Sequence, residues 1–380
     1  MRIGLIIYGS LDTLSGGYLY DRKLVEYLRS QGDTVEIISL PWRNYATHLT
    51  DNFWFRLWSP GASSWNFRQW RRGAIRLQNL DILIQDELNH PSLILANRKK
   101  HPYPIISLVH HLRSSELRPK WQNAFYRMVE KKYLQSVDGF IFNSKTTQSV
   151  VNKLLDHRKP AIVAYPPTDR FGEPISEQAM ISRAETNPLR ILFLGNVIER
   201  KGLHTLLEAV QRQKASPEPV EGSQVIVDVI GSLDSEPEYV KQIKKIIQQN
   251  NLSSFIFLYG SLDKEPLIEK LKQTHVLVVP SSYEGYGIVY LEGMCFGLPA
   301  IGTTAGAANE IITDGVDGFL IEPENADVLA IRLKVLSEKR EVLIRMSLAA
   351  RQRYLHQPKW EETAGQIREF LLKQIRDFSV

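Results

Sequence analysis

The chain of 380 residues has a single cysteine, Cys295. One cysteine excludes an internal disulfide and a cysteine-based metal cluster, and a reducing, cytoplasmic setting is expected. No apolar run reaches the roughly 18 residues that span a bilayer. The N-terminal MRIGLIIYGS has a basic residue and an apolar run, too short for a signal-peptide core; it reads as a first strand. An Asp-x-Asp pair and an HExxH motif are also missing, so no metal ligand set is expected. What remains is a globular composition, 43% hydrophobic and 23% charged, in a chain long enough for two domains with real cores.

The formal charge of +5 is uneven. Residues 1–180 hold 24 Lys+Arg against 16 Asp+Glu, and the remainder hold 23 against 26. A basic first half suits an anionic partner: a phosphate-bearing substrate, an anionic membrane or a nucleic acid. Chance asymmetry on a solvated surface is the plain alternative.

Apolar, β-rich runs recur between helical patterns at 2–9, 34–40, 81–86, 104–111, 139–144 and 161–167. Six more stand at 190–196, 224–231, 255–260, 275–281, 299–303 and 318–323. Continuous apolar strands alternating with helices imply parallel sheets covered on both faces. Two sets of six predict two doubly wound domains facing across a cleft, with ligands at the carboxyl ends of the strands. The Pro-rich, polar stretch 166–188 reads as a linker, giving domains 1–172 and 188–357. KASPEPVEGSQ (214–224) reads as a loop insertion inside a βαβ repeat. Residues 360–376 form a terminal helix by their apolar spacing, which leaves its docking surface open.

SSYEGYGIVYLEGMCFGLPAIGTT (281–304) joins a buried strand to a helix through glycines. Such a unit offers backbone N–H groups and the positive end of a helix dipole, a site for a diphosphate. Gly285 and Gly287 permit close approach. Glu284 falls at the strand end and Glu292 about a turn and a half into the helix. Eight residues of helix give about 80° of rotation and about 12 Å of rise, so one glutamate could reach a sugar and the other a ribose. A plain βα turn with Glu292 solvated competes with this reading. In LGNVIERKGLHTLLEAV (194–210), Arg200 and Lys201 precede a helix and can neutralise phosphates, Arg bidentately and Lys as a point charge. An exposed loop pair is the alternative. Both loops follow strands of one predicted sheet, so their tips can converge.

LGNVIERKGLHTLLEA, VVPSSYEGYGIVYLEGMCFGLPAIGT and GAANEIITDGVDGFLIEP resemble, in order, the C-domain motifs of the retaining family-4 glycosyltransferases. In the first half, SGGYLYDRKLVEYLRSQGDTVEIIS, IISLVHH and GFIFNSKTTQSVV are similar to that family's glycine-pair loop, histidine-ending strand and strand-then-serine segment. The resemblance implies a GT-B fold, two Rossmann-like domains with the C-terminal helix crossing back onto the first. It also implies a nucleotide diphosphosugar donor held mostly by the second domain. By that pattern Glu292 binds the ribose hydroxyls and Glu284 contacts the donor sugar. The backbone of Gly285, Tyr286, Gly287, Ile288 and Val289 cradles sugar and diphosphate. Lys201, with Arg200, holds the leaving diphosphate. Leu262, in YGSLDKE, meets the nucleobase. Gly16 and Gly17 close over the phosphates, and His110 lies between donor and acceptor.

Asn196 stands where the family often has an arginine, also on the donor, and Arg200 is expected to substitute. His111 stands where an acid often follows the histidine. Transfer with retention of anomeric configuration, without a metal or other cofactor, is what the resemblance implies.

Residues 42–76 hold five of the seven tryptophans (Trp42, Trp54, Trp58, Trp65, Trp70) and six arginines (Arg43, Arg56, Arg68, Arg71, Arg72, Arg76). That pairing suits a membrane interface and anionic headgroups. A peripheral position on a membrane's inner face and a lipid-linked or glycan acceptor are therefore expected; inward-packed tryptophans with solvated arginines are the alternative. A nucleotide-sugar epimerase of the same fold and a non-catalytic nucleotide-sugar or nucleic-acid binder are the rival functions. The glutamate pair argues against a binder of polyanions alone.

Overall fold

The computed structural model describes residues 1–13, 15–54, 79–98, 100–167, 169–172, 174–214 and 225–378. All twelve expected strands form. The chain divides into two compact units, Met1–Pro166 with Pro358–Val380, and Pro167–Gln357.

The first unit is a parallel sheet of β1 (Arg2–Tyr8), β2 (Thr34–Leu40), β3 (Ile82–Asp86), β4 (Ile105–Val109), β5 (Gly139–Phe142) and β6 (Ala161–Val163). The strand order is β2-β1-β3-β4-β5-β6. Its helices are α1 (Gly16–Ser30), α2 (Tyr45–Trp54), α3 (His90–Asn97), α4 (Lys120–Leu134) and α5 (Lys145–Leu154). Alternation along β1 feeds two cores: Ile3, Leu5 and Ile7 pack on one side, Ile6 and Tyr8 on the other. The chain leaves β1 for β2 on one side and returns to β3 on the other, so β1 and β3 flank a switch point.

The second unit begins with α6 (Glu177–Ala184) and builds β7 (Leu189–Leu194), α7 (Leu203–Lys214), β8 (Val225–Ile230), α8 (Pro237–Gln249) and β9 (Ile256–Gly260). It continues through α9 (Lys264–Gln273), β10 (Val276–Val278), α10 (Ile288–Cys295), β11 (Ala300–Thr303), β12 (Gly318–Ile321), α11 (Ala326–Glu338) and α12 (Arg340–Leu355). The strand order is β12-β11-β10-β7-β8-β9, which makes β7 and β10 its switch-point pair.

Two expectations change. Residues 166–188 are not a bare linker: α6 lies within them, capped by Ser176, whose hydroxyl accepts from the Ala179 N–H at 3.3 Å. The segment from Pro167 belongs to the second unit, so the first ends at Pro166 rather than at 172. The terminal helix α13 (Trp360–Phe378) joins the first unit. Trp360, Ala364, Ile367 and Leu371 share a core with Ile3, Leu5 and Leu24, and Arg368 pairs with Asp33 at 2.7 Å. Most of the insertion at 214–224, and residues 55–78 of the tryptophan segment, lie outside the described residues.

Candidate active site

The loops after β7 and β10 meet at the switch point of the second unit. Gly202 holds φ +71°, and a Cβ there would stand 2.2 Å from the Pro280 carbonyl oxygen, so only glycine lets the two loops close. The Ser282 N–H donates to the Arg200 carbonyl at 2.8 Å, and Lys201 Nζ reaches both Glu284 oxygens at 2.5 and 3.1 Å. Arg200 Nη1 donates to the Tyr283 carbonyl at 2.8 Å and to Glu284 Oε1 at 3.3 Å. The expected convergence is therefore direct: two cations rest on one buried carboxylate. Burial pushes the Lys201 ammonium below its usual range, the Glu284 charge opposes that, and Arg200 adds to it.

Glu284 is fixed from behind. Its N–H donates to the Ala305 carbonyl and its carbonyl accepts from the Ala307 N–H at 2.8 Å, with Gly306 between them at φ +92°. Gly287 caps α10 at φ +94°, and a Cβ there would meet the Tyr290 ring at 2.5 Å. Tyr290 is locked by its hydroxyl on the Val279 carbonyl at 2.8 Å. Since α10 begins at Ile288, Glu284 lies ahead of the helix, and the rotation along one helix does not relate the two glutamates. Glu292 is buried rather than solvated. Burial pushes its carboxyl up, and Arg170, with Nη1 3.1 Å from Oε1, offsets part of that.

In the first unit the site residues gather at the carboxyl ends of β1, β3 and β4. Ser15 caps α1, and a Cβ on Gly17 would touch the His110 ring at 3.2 Å. Asp21, one turn further on, places Oδ1 3.1 Å from His110 Nε2. The His110 N–H donates to Glu87 Oε2 at 3.0 Å, and Asn143 Nδ2 donates to the His110 carbonyl at 2.8 Å. Asp21, Asp86 and Glu87 are all buried. Burial alone would push the imidazole down, but the charge and hydrogen bond of Asp21, then Asp86 and Glu87, carry it up to about 9. Burial, then the Asp21 charge, raises the Asp86 carboxyl, and burial with Asp86 raises Glu87 well above its usual range. Asp21, Asp86 and His110 offer ligand atoms within 4.8 Å of one another, the one such set among the described residues. An imidazolium already supplies positive charge there, so the cluster is partly balanced by a proton. His111 turns away to Glu116 Oε1 at 3.0 Å.

Two family models match the chain. One, described as glycosyl transferases group 1, covers residues 175–353, and the other, Glycosyltransferase Family 4, covers residues 20–170. The chain belongs to the family-4 glycosyltransferases. An uncharacterized glycosyltransferase of Methanocaldococcus jannaschii is 30% identical over 151 residues, a stretch that is 40% of this chain and 39% of that protein. Sucrose-phosphate synthase from Thermosynechococcus elongatus shares the fold with a TM-score of 0.77 at 19% identity, over 99% of each chain. Anabaena HepE, solved with UDP and glucose, gives a TM-score of 0.70 at 16% identity, over 98% of this chain and 100% of that one. The fold is the two-unit GT-B class.

Arg200, Lys201, Glu284 and the run Gly285–Val289 cluster at β7 and β10, with Asn196 at the carboxyl end of β7. Leu262 is half-buried on the loop after β9, the edge strand. Gly17 and His110 meet in the first unit. Sequence reasoning missed Asp21, Asp86, Glu87, Arg170 and Gly306. Asp21 was reachable, four residues after Gly17 in the glycine-pair segment; Arg170 carried no signal in a stretch read as linker.

Proposed function

We propose that the chain transfers a sugar from a nucleotide diphosphosugar to an acceptor hydroxyl, with retention and without a metal ion. The anomeric C–O bond to the diphosphate breaks, a bond to the acceptor oxygen forms, and the acceptor proton leaves with the diphosphate. Charge decides the roles: negative charge grows on the diphosphate, positive charge on the sugar. The observation that carries the reading is the Lys201 and Arg200 pair held on Glu284 at the switch point. When a diphosphate arrives it offers these cations a second anion, and Glu284 is freed to face the sugar. The backbone of Gly285–Val289 lines the diphosphate, Glu292 takes the ribose hydroxyls, and Asn196 and Leu262 serve the donor. Gly16, Gly17 and His110 serve the transfer from the first unit.

We further infer a peripheral position on an anionic membrane face, with a lipid-linked acceptor. The basic first half and the exposed Trp42 support it. Thermal shift with UDP, GDP, ADP and their sugars tests the donor, since a specific ligand raises the midpoint by mass action. UDP heads the panel because HepE, which shares the fold, was solved with it. Labelled donor transferred to a lipid extract tests the reaction. Hydrolysis or isomerisation with no acceptor dependence would replace transfer with epimerase chemistry.

A further inference from the structure

Helix α4 turns Val129, Glu130, Tyr133 and Leu134 into the first unit. Its other face is apolar yet uncovered: Trp121 is 73% exposed, Met128 49% and Phe125 41%. At about 100° per residue these three fall within an arc of about 60°. Leu117, just ahead of the helix, is exposed as well. Large apolar groups collected on one uncovered stripe mark an interaction surface, whereas single exposed ones do not.

The charges beside the stripe choose the partner. Lys120, Arg127 and Lys132 are exposed: Lys132 falls within the apolar arc, and Lys120 and Arg127 flank it, about 100° and about 120° round from Trp121. Lys131 is spoken for by Asp156 at 2.9 Å. Glu130, the only acid in the helix, is buried and accepts from the Ser114 N–H at 3.2 Å. The exposed face therefore pairs aromatic and thioether groups with cations and carries no carboxylate. Apolar tips can enter the acyl boundary while the cations stay level with lipid phosphates. Ring contacts carry the surface toward α2: Tyr45 lies 4.8 Å from Tyr126 and 6.3 Å from Phe125, centre to centre. Arg113 stands over both tyrosine rings at 5.2 and 4.9 Å. At the tip of α2, Phe53 is exposed. The face starts ten residues after His110, on the connection that leaves the carboxyl end of β4.

We propose that this face of α4 docks the protein on an anionic lipid bilayer, with Trp121, Phe125 and Met128 in the acyl boundary and Lys120, Arg127 and Lys132 on the headgroups. The inference deepens the membrane reading above, rests on it, and moves the contact from the tryptophan segment to α4.

The test is flotation of the full chain with phosphatidylcholine vesicles, either alone or holding about a third phosphatidylglycerol. Wild type should float with the anionic vesicles and not with the neutral ones. The triple variant Lys120→Gln, Arg127→Gln, Lys132→Gln should bind about 100-fold more weakly, at the contribution expected per basic residue near a charged surface. The triple variant Trp121→Ser, Phe125→Ser, Met128→Ser should lose flotation. Circular dichroism and the nucleotide thermal shift check folding, and the glutamine variant keeps the test alive if the serine variant fails to fold. Wild type that never floats overturns both this inference and the membrane reading. Flotation retained by both variants overturns the α4 face alone and leaves the membrane reading standing. A dimer in sedimentation velocity that the serine variant abolishes, without flotation, makes the face a contact between copies and also overturns it.

Discussion

Asp21 Oδ1 and His110 Nε2 lie 3.1 Å apart, and the aspartate that makes this bond is itself almost wholly buried. The pair joins the second turn of α1 to the end of β4, two segments 89 residues apart in the chain. Burial disfavours the charged His110 ring, but the charge and hydrogen bond of Asp21, with the charges of Asp86 and Glu87, outweigh it and raise the ring to about 9, a cation at neutral pH. Replacing Asp21 by Asn keeps the shape and removes the charge. His110 should then titrate well below the wild-type value of about 9, as read from its ring proton shifts in NMR. The alkaline limb of the transfer pH profile should move down with it. An unchanged limb beside a lowered His110 pKa would remove His110 from the reaction.

The same cluster sets a direction for stability against pH. A histidine whose folded pKa is raised contributes stability that is complete below about 6.5, its unfolded value, and is lost as pH rises. The loss should therefore run from there to about 9. Asp86 and Glu87, whose carboxyls are raised by burial, act in the same direction. The melting midpoint of wild type should fall across this window, and Asp21→Asn should flatten the fall. A midpoint that rises with pH there would contradict the charge state of the cluster.

Lys201 and Arg200 should separate in their kinetics. Lys201→Ala removes the closer cation and should cost about 10²- to 10³-fold in kcat, with weaker nucleoside diphosphate binding. Arg200→Ala should lose less, because Arg200 is half-buried and shares Oε1 with Lys201. If Arg200→Ala left donor affinity and turnover intact, its substitution for the arginine absent at position 196 would be wrong. Glu284→Ala that folds and retains full transfer would sink the sugar-contact role.

Gly306 is the position where the smallest change should do the most. An alanine Cβ would stand 2.0 Å from the Glu284 carbonyl oxygen at a φ of +92°. Gly306→Ala should cost about 2 kcal/mol or more through backbone strain, and the surviving folded protein should lose donor binding as Glu284 moves. Calorimetric unfolding and nucleotide titration measure the two effects. A variant with wild-type stability and affinity would mean that the loop relaxes without moving the glutamate.

Arg170 tunes Glu292 across a bond that joins the start of the second unit to α10. Without the guanidinium, the buried carboxyl should rise further, since burial is the dominant influence and Arg170 the opposing one. A protonated Glu292 accepts ribose hydroxyls poorly. Arg170→Ala should therefore lose nucleoside diphosphate affinity at a higher pH than wild type when the solution is acidified, as read by calorimetric titration. Identical pH profiles would detach Arg170 from the donor.

Strands were legible because the central ones, such as β3, β4 and β10, are continuous apolar runs buried on both faces, a pattern written locally along the chain, while the edge strands β2 and β9 alternate buried and exposed residues. The Gly202 and Gly287 turns were legible for a similar reason: positive φ selects glycine, and glycine is visible. Long-range pairs were not. Nothing near Asp21 states that it will meet His110, and nothing near Arg170 points to Glu292. The 166–188 stretch misled because its prolines and polar residues hid a short helix whose signal was Ser176 followed by Glu177 in the first turn. On α4, periodicity shows two faces but does not say that the one with Trp121 stays uncovered.

Because α13 packs in the first unit, that unit is written in two separate pieces of chain and the second is an insertion between them. Residues 167–357 thus form a continuous cassette, whereas the first 166 residues lack the helix that covers Ile3 and Leu24. The first unit is therefore assembled from residues 1–166 and 358–380, on either side of the second. Loss of a short C-terminal tail would consequently injure the unit that begins at Met1, the one farthest away in sequence.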